Sequence, residues 1–332
     1  MKGLPLLIPV AFIAFIAAGL AELKTLAVGT AFAIAIVLGI YWGDGIGWED
    51  GCRKFKEEYA VWAFWGSVAI IGVQLLMLGK VPLLDPAIRT HLNPRLTALT
   101  YFLGIPSSLY LFLRGKRYSL VYPFIVALYA YRTPVLVDLL AIGSAYYERL
   151  RAEGRLKPVH IAAVVVGVLI VGAAMTEIRG QGLSSLWTRV QSSTSVLDVI
   201  VWRGDWAGTY GGELQWAGVA SYFRGGYSPR GLVAKFLYVH TGATITPTLL
   251  GGMYLDFGIF AILEGLLLGL YYGMIQNARD PFTMSLYYTT LAYGMVGVET
   301  GILDLPVYLL FLTGAYVVVR GWWRRRAGRE AV

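Results

Sequence analysis

The sequence runs to 332 residues, 57% hydrophobic and only 14% charged, with a mean hydropathy of +0.62 and a formal net charge of +8. A soluble domain carries about 25% charged residues, so composition excludes one, and the apolar runs are too long for barrel strands, which leaves helical spans. The single Cys52 excludes an intramolecular disulfide and a cysteine metal cluster.

Hydropathy predicts ten spans: 4–21, 25–42, 59–79, 96–113, 118–131, 134–147, 159–176, 248–273, 282–298 and 302–320. Lys2 is a thin basic start and no small-residue cleavage site follows, so the first span reads as retained. The expected fold is an all-α polytopic membrane protein, one integral domain over 1–332, with a long external loop at 177–247 that contains surface helices. The tail "RGWWRRRAGRE" is basic and carries two interfacial tryptophans, which places it in the cytoplasm. Alternation then puts "GDGIGWEDGCRKFKEE", "RGKR", "ERLRAEGRLKP" and "QNARDP" on the same side, so both termini are expected in the cytoplasm. The positive charge concentrates in these loops and the tail, which argues for membrane orientation and against nucleic acid. Merging 118–147 into one helix would scatter Arg149, Arg151, Arg155 and Lys157 to the opposite face from Arg114, Lys116 and Arg117.

Between the fifth and sixth spans stands "YAYRTPVLVD", residues 129–138. Each arm of this hairpin has about 15 residues and rises about 22 Å, less than the ~30 Å hydrocarbon core. The apex with Arg132 is therefore expected in a dent below the outer headgroups. Thr133 suits an N-cap and Pro134 a first helical position, so Arg132 would stand over a helix N-terminus that favours anions. The alternatives are a salt bridge to Asp138, one turn deeper, or snorkelling to headgroups.

In the 177–247 loop, Leu183, Leu186, Val190, Leu197, Ile200 and Val201 recur at helical spacing, which predicts a helix along the membrane surface. The following "RGDWAGTYGGELQWAGVASYFRGGYSPRG" mixes Gly, Trp and Tyr with Asp205 and Glu213. Trp206, Tyr210 and Trp216 suit stacking on sugar rings; the alternative is an interfacial aromatic belt. Arg179, Arg189, Arg203, Arg224 and Arg230 put positive charge outside, against the orientation rule, and guanidiniums bind phosphate oxygens in pairs. Solvation or lipid phosphate contact is the alternative for Arg189 and Arg224.

His91, His160 and His240 share no paired spacing, so no metal site is expected. His240, where the loop returns to the bilayer, is the best-placed acid or base on the outer face; the alternative is an interfacial histidine bonded to backbone. With no phosphate-binding loop motif and short cytoplasmic loops, no nucleotide cofactor is expected. The substrate must carry its own energy, as a lipid-linked diphosphate sugar does. Deep in span 248–273, Glu264 is the one other carboxylate that stands apart.

The stretch "ALYAYRTPVLVDLLAIGSAYYERLRAEGRLKP", a span ending "TEIRG", a long outer loop and then "TGATITPTLLGGMYLDFGIFAILEGLLLGLYYG" together resemble the oligosaccharide-repeat-unit (O-antigen) polymerases of the Wzy type, over about residues 95–320. The "Y-x-D-F-G" helix opening, Tyr254 to Gly258, is the most specific part. The O-antigen ligases share this layout, and His240 matches the histidine near the end of their large loop. The resemblance implies a metal-independent, inverting glycosyltransferase. It would polymerise repeat units carried on a polyprenyl or dolichyl diphosphate at the outer face of the cytoplasmic membrane. Arg132, Arg179, Arg203 and Arg230 would hold the diphosphate, with His240, Asp205 or Glu213 as the base. Trp206, Tyr210, Trp216, Tyr254 and Asp256 would meet the glycan. Membrane lipids and a chain-length regulator or flippase are the implied partners. The loop departs from the family in one respect: Arg230 precedes Gly242 by twelve residues where eleven is usual. Two other functions stay open: ligase-like transfer to a lipid or protein, and lipid-linked oligosaccharide transport. Transport would call for internal repeats and discontinuous helices near the midplane.

Overall fold

The computed structural model describes residues 3–48, 55–177, 184–239 and 245–330. Fourteen α-helices follow in chain order: α1 Leu7–Ala18, α2 Leu23–Gly45, α3 Glu57–Leu78, α4 Pro94–Leu113, α5 Tyr122–Ala127, α6 Arg132–Ala152, α7 Pro158–Glu177, α8 Ser184–Arg203, α9 Glu213–Phe223, α10 Pro229–Phe236, α11 Thr248–Phe257, α12 Ala261–Ile275, α13 Pro281–Thr300 and α14 Leu305–Glu330. Among the described residues there is no strand. Among the described residues, five segments are long and apolar enough to cross a membrane: α2, α3, α4, Thr248–Ile275 and Leu305–Ala327; α1 is apolar but shorter. The protein is an all-α membrane protein.

The arm expected over 118–131 takes another form. It is a 3-10 turn at Arg117–Val121 followed by the six-residue α5, which together rise about 19 Å, short of a ~30 Å core. The chain breaks at Ala130, whose φ of 59° lies in the left-handed region, and turns back so that α5 packs against α6. One helix through 118–147 is not formed.

The chain divides into two compact units. One holds residues 1–51, 186–278 and 293–332, the other 52–185 and 279–292. In the first, α2 and α12 run parallel with almost no side chain between them. A Cβ on Gly39 would come within 3.0 Å of the Leu266 carbonyl, on Gly43 of Leu270, on Gly269 of Ile36 and on Gly273 of Ile40. Small residues four apart let helix backbones approach this closely, and without a hydrophobic drive in lipid such packing supplies the association energy. At one end of this pair the Glu22 N–H donates to Asp198 Oδ1 at 3.1 Å and Lys24 Nζ to the Val201 carbonyl at 2.8 Å. At the other end Trp48 Nε1 donates to the Met274 carbonyl at 2.8 Å and Gln276 Nε2 to Asp44 Oδ1 at 3.0 Å, and Gly47 lies against the Arg325 guanidinium. The segments after α2, after α12 and near the tail thus share one end of the unit.

Leu197, Ile200 and Val201 of α8 are fully buried, with Leu197 and Ile200 against Gly251 of α11. This half of α8 packs on protein, because Gly251 offers a groove that takes both side chains.

In the second unit α3 and α4 pack together around buried polar groups. Ser67 Oγ donates to the Tyr122 hydroxyl at 2.9 Å, which donates to the Thr100 carbonyl at 3.0 Å. Gln74 Nε2 donates to the Tyr129 hydroxyl and its Oε1 accepts the Asn93 N–H. Asn93 in turn caps α4, its Oδ1 accepting from Arg95 and Leu96.

Candidate active site

The Tyr-x-Asp-Phe-Gly stretch organises the site in the first unit. The run 248–275 is apolar enough to cross a membrane, yet the α-helix stops at Phe257 and restarts at Ala261. Gly258 sits at φ 57°, ψ −130°, and a Cβ there would collide with the Trp206 carbonyl. Only glycine takes that conformation without strain. A break in a spanning helix strands backbone groups that must find partners within the protein. Here the 205–212 turn supplies them. Thr209 and Tyr210 donate to the Leu255 carbonyl at 2.7 and 3.0 Å, Gly211 donates to that of Asp256 at 2.9 Å, and Ile259 N–H donates to the Trp206 carbonyl at 2.9 Å.

Asp256 completes the joint. It is fully buried. Its Oδ1 accepts from Leu214 N–H at 2.9 Å and its Oδ2 from Gln215 N–H at 2.8 Å. These are free donors of the first turn of α9, whose N-cap is Gly212, a residue with no side chain to offer. Asp256 is the missing cap, contributed from 42 residues along the chain, and its charge suits the positive end of the helix. Tyr254 is likewise buried, 4% exposed. Both residues were expected to meet glycan; the structure places both in the interior, where Asp256 positions α9.

What α9 and its turn present outward is different. Arg203, Asp205 and Glu213 are exposed, and Trp206 and Trp216 are 71% and 57% exposed. The structure brings these five onto the one segment. Tyr210 is half-buried; its hydroxyl donates to the Leu232 carbonyl at 3.3 Å. Burial, then the charges of Glu213 and Asp256, push its pKa up, so it stays a protonated donor. Arg230, in the first turn of α10, pairs with Asp304 at 2.9 Å, and Arg189 pairs with Glu299. Arg189 is thus not merely solvated. His240 and Arg179 lie outside the described residues.

Glu264, on α12, is half-buried, and both its oxygens accept from Gln215 Nε2, at 2.8 and 2.9 Å. Gln215 therefore bridges the two carboxylates of the 248–275 segment, by its backbone to Asp256 and by its side chain to Glu264. Its Trp, Glu and Gly neighbours drew the sequence reading, while the amide itself carried no signal.

Arg132 belongs to the second unit. It is the first residue of α6, half-buried, behind Tyr131 as N-cap. Thr133 is not the cap: the turn at Ala130 starts the helix earlier, so Thr133 and Pro134 fall within its first turn. Asp138 is fully buried; its Oδ1 accepts from Ser108 Oγ at 2.8 Å and its Oδ2 has no partner. The alternative reading of Arg132, a salt bridge to Asp138, is therefore not what Asp138 makes. Sequence reading missed Arg89, whose guanidinium stands 5.8 Å from the Tyr131 ring centre and whose carbonyl accepts from the Tyr131 hydroxyl at 3.3 Å. Its signal was a further cation in the segment "RTHLNPR", on the side assigned to the outside.

Comparison with known proteins bears on this arrangement. A family model described as "Putative O-antigen polymerase" matches residues 3–311. An uncharacterised protein of Methanocaldococcus jannaschii is 26% identical over 305 residues, covering 87% of this chain and 84% of the relative. No solved structure matches. The match takes in the broken helix with its Tyr-x-Asp-Phe-Gly joint, the segment that precedes it and the Arg-Thr-Pro hairpin alike, and the chain belongs to the O-antigen polymerase family.

Proposed function

We propose that the protein is a membrane glycosyltransferase that polymerises oligosaccharide repeat units carried on a polyprenyl or dolichyl diphosphate, at the outer face of the cytoplasmic membrane. The observation that carries this beyond family membership is the display of Trp206, Trp216, Asp205, Glu213 and Arg203 on a segment anchored to a membrane helix. Flat rings stack on sugar faces, carboxylates accept from sugar hydroxyls, and the guanidinium suits phosphate. Arg230 adds to this charge by exchanging its partner Asp304 for the ligand, and Arg132 and Arg179 are further candidates for holding diphosphate. His240, Asp205 and Glu213 are the outer-segment candidates for the base. The diphosphate leaves as charge develops on it, which is where fixed guanidiniums stabilise the transition state most. Inversion at the anomeric carbon follows from direct displacement.

One observation favours the transporter alternative: the helix break at Gly258 is the discontinuity such proteins use. That break is filled by the backbone of residues 206–211, which leaves its polar groups partnered by protein. Purified protein given lipid-diphosphate oligosaccharide decides between the readings. A ladder of products is expected. A single addition to a lipid or protein acceptor would mark ligase chemistry, and substrate moved across vesicles without bond formation would end the enzyme reading.

In the same assay Arg132→Lys is expected to lower turnover about ten- to a hundredfold, the loss of roughly 1.5–3 kcal/mol in charge-assisted bonding. Lysine keeps the charge and loses the fork that spans two phosphate oxygens. Wild-type turnover would remove Arg132 from the diphosphate site.

The proposed orientation has both termini and residue 153 in the cytoplasm and residue 215 outside. Reporter fusions at 153 and 215 are expected to score in opposite compartments; the same compartment for both would reverse the assignment of the active face.

A further inference from the structure

The segment 248–275 carries two acidic residues, Asp256 and Glu264, and ionisable groups at membrane depth are costly to keep. Asp256 has a structural account as the cap of α9. Glu264 has none of that kind. Its one partner is a neutral amide, and among the described residues no cation pairs with it. A glutamine at 264 would keep one acceptor oxygen for Gln215, so hydrogen bonding to this one neutral amide does not by itself call for an ionisable group. What a glutamine cannot do is accept a proton.

The surroundings suit that task. Gln215 Nε2 donates to both oxygens and fixes the orientation of the carboxylate. Gln215 is itself fixed, because its backbone N–H is tied to Asp256, and it is the neighbour of the exposed Trp216. Asp256 of α11 acts on the group electrostatically, and Tyr308 of α14 lies within electrostatic reach of Glu264, Asp256 and Asp304, the last already paired to Arg230. The Tyr308 hydroxyl is buried and, among the described residues, has no partner. Gly265, the next residue, is locked against Phe32 of α2, so the helix face that bears Glu264 is set by close packing.

Resting on the glycosyltransferase reading, we propose that Glu264 is the catalytic base, in the role for which the sequence offered His240, Asp205 and Glu213. The acceptor oxygen bonds to the anomeric carbon. The bond from that carbon to the diphosphate oxygen breaks, and its electron pair leaves with the diphosphate. The acceptor hydroxyl proton passes to a Glu264 oxygen.

The test compares wild type, Glu264→Gln and Glu264→Asp in lipid nanodiscs, with lipid-diphosphate oligosaccharide as donor and acceptor. Glu264→Gln is expected to lower kcat at least about a hundredfold, within the range of general-base catalysis. The donor KM should stay within about threefold and the melting temperature should hold. The acidic limb of the wild-type kcat–pH profile should vanish in Glu264→Gln, and Glu264→Asp should restore part of the rate with that limb. Wild-type transfer with Glu264→Gln within threefold of it and the acidic limb intact overturns this assignment alone. So does a loss in Glu264→Gln that only tracks the loss of folded protein. Wild type that transfers no glycan overturns this assignment and the glycosyltransferase reading together.

Discussion

Gly269→Val is expected to leave almost no folded protein in the membrane. The added carbons would meet the Ile36 carbonyl oxygen closer than 3.0 Å, and backbone cannot rotate aside as a side chain can. Overpacking a core costs about 1–3 kcal/mol where side chains yield, and here two helices would have to separate along the seam from Gly39 to Gly273. Stability of a whole domain is only about 5–15 kcal/mol, so loss of that seam is a large share of it. Gly269→Ala should fall between valine and wild type. Gly72→Ala is the control: a Cβ at Gly72 of α3 meets nothing within 4 Å, and alanine favours helix by up to about 1 kcal/mol. Recovery of monodisperse protein from membranes and its melting temperature are the readouts. Wild-type behaviour of Gly269→Val would mean that α2 and α12 are not in backbone contact.

Asp256→Ala should release α9 and with it the outward display of Trp206 and Trp216. Truncation leaves the Leu214 and Gln215 N–H groups without acceptors. Loss of a helix cap costs about 0.5–2 kcal/mol, and the two donors left unmade about 1–3 kcal/mol each, so up to roughly 6 kcal/mol is expected. Asp256→Asn keeps one acceptor oxygen and should lose about half as much. Hydrogen exchange is the sharper readout: residues 213–216 should lose protection in the alanine variant while α12 keeps its own. Unchanged protection at 214 and 215 would show that Asp256 does not cap the helix.

Span positions were legible where apolar runs end on strong punctuation, as at Gly79 after α3 and Asn93-Pro94 before α4. The Arg-Thr-Pro reversal was legible for the same reason, though its first arm is a short turn and helix. The break at Gly258 was not, because Asp256 apart the run around it is apolar, and only a torsion angle marks it. Asp256 read as a ligand because a carboxylate among aromatics looks functional, while the bare Gly212 that needs it lies 44 residues away in sequence. Glu264 was visible as a lone charge; its partner was not, since Gln215 gains its place only when the cap has formed. The helix over 184–203 was foreseen from its period, but periodicity does not say whether an apolar face meets lipid or Gly251.

The seam between α2 and α12 also bears on how the chain is made. Trp48 and Met274, partners at one end of it, are 226 residues apart, and a ribosome adding about 5–20 residues each second needs roughly 11–45 s to travel between them. Through that interval α2 stands in the bilayer, or beside the insertion machinery, with Gly39 and Gly43 uncovered. A nascent chain stalled before residue 261 therefore presents a bare glycine groove to every neighbouring helix. Release of Met274 from the ribosome is the earliest moment at which the first helical pair and the last third of the molecule become one object.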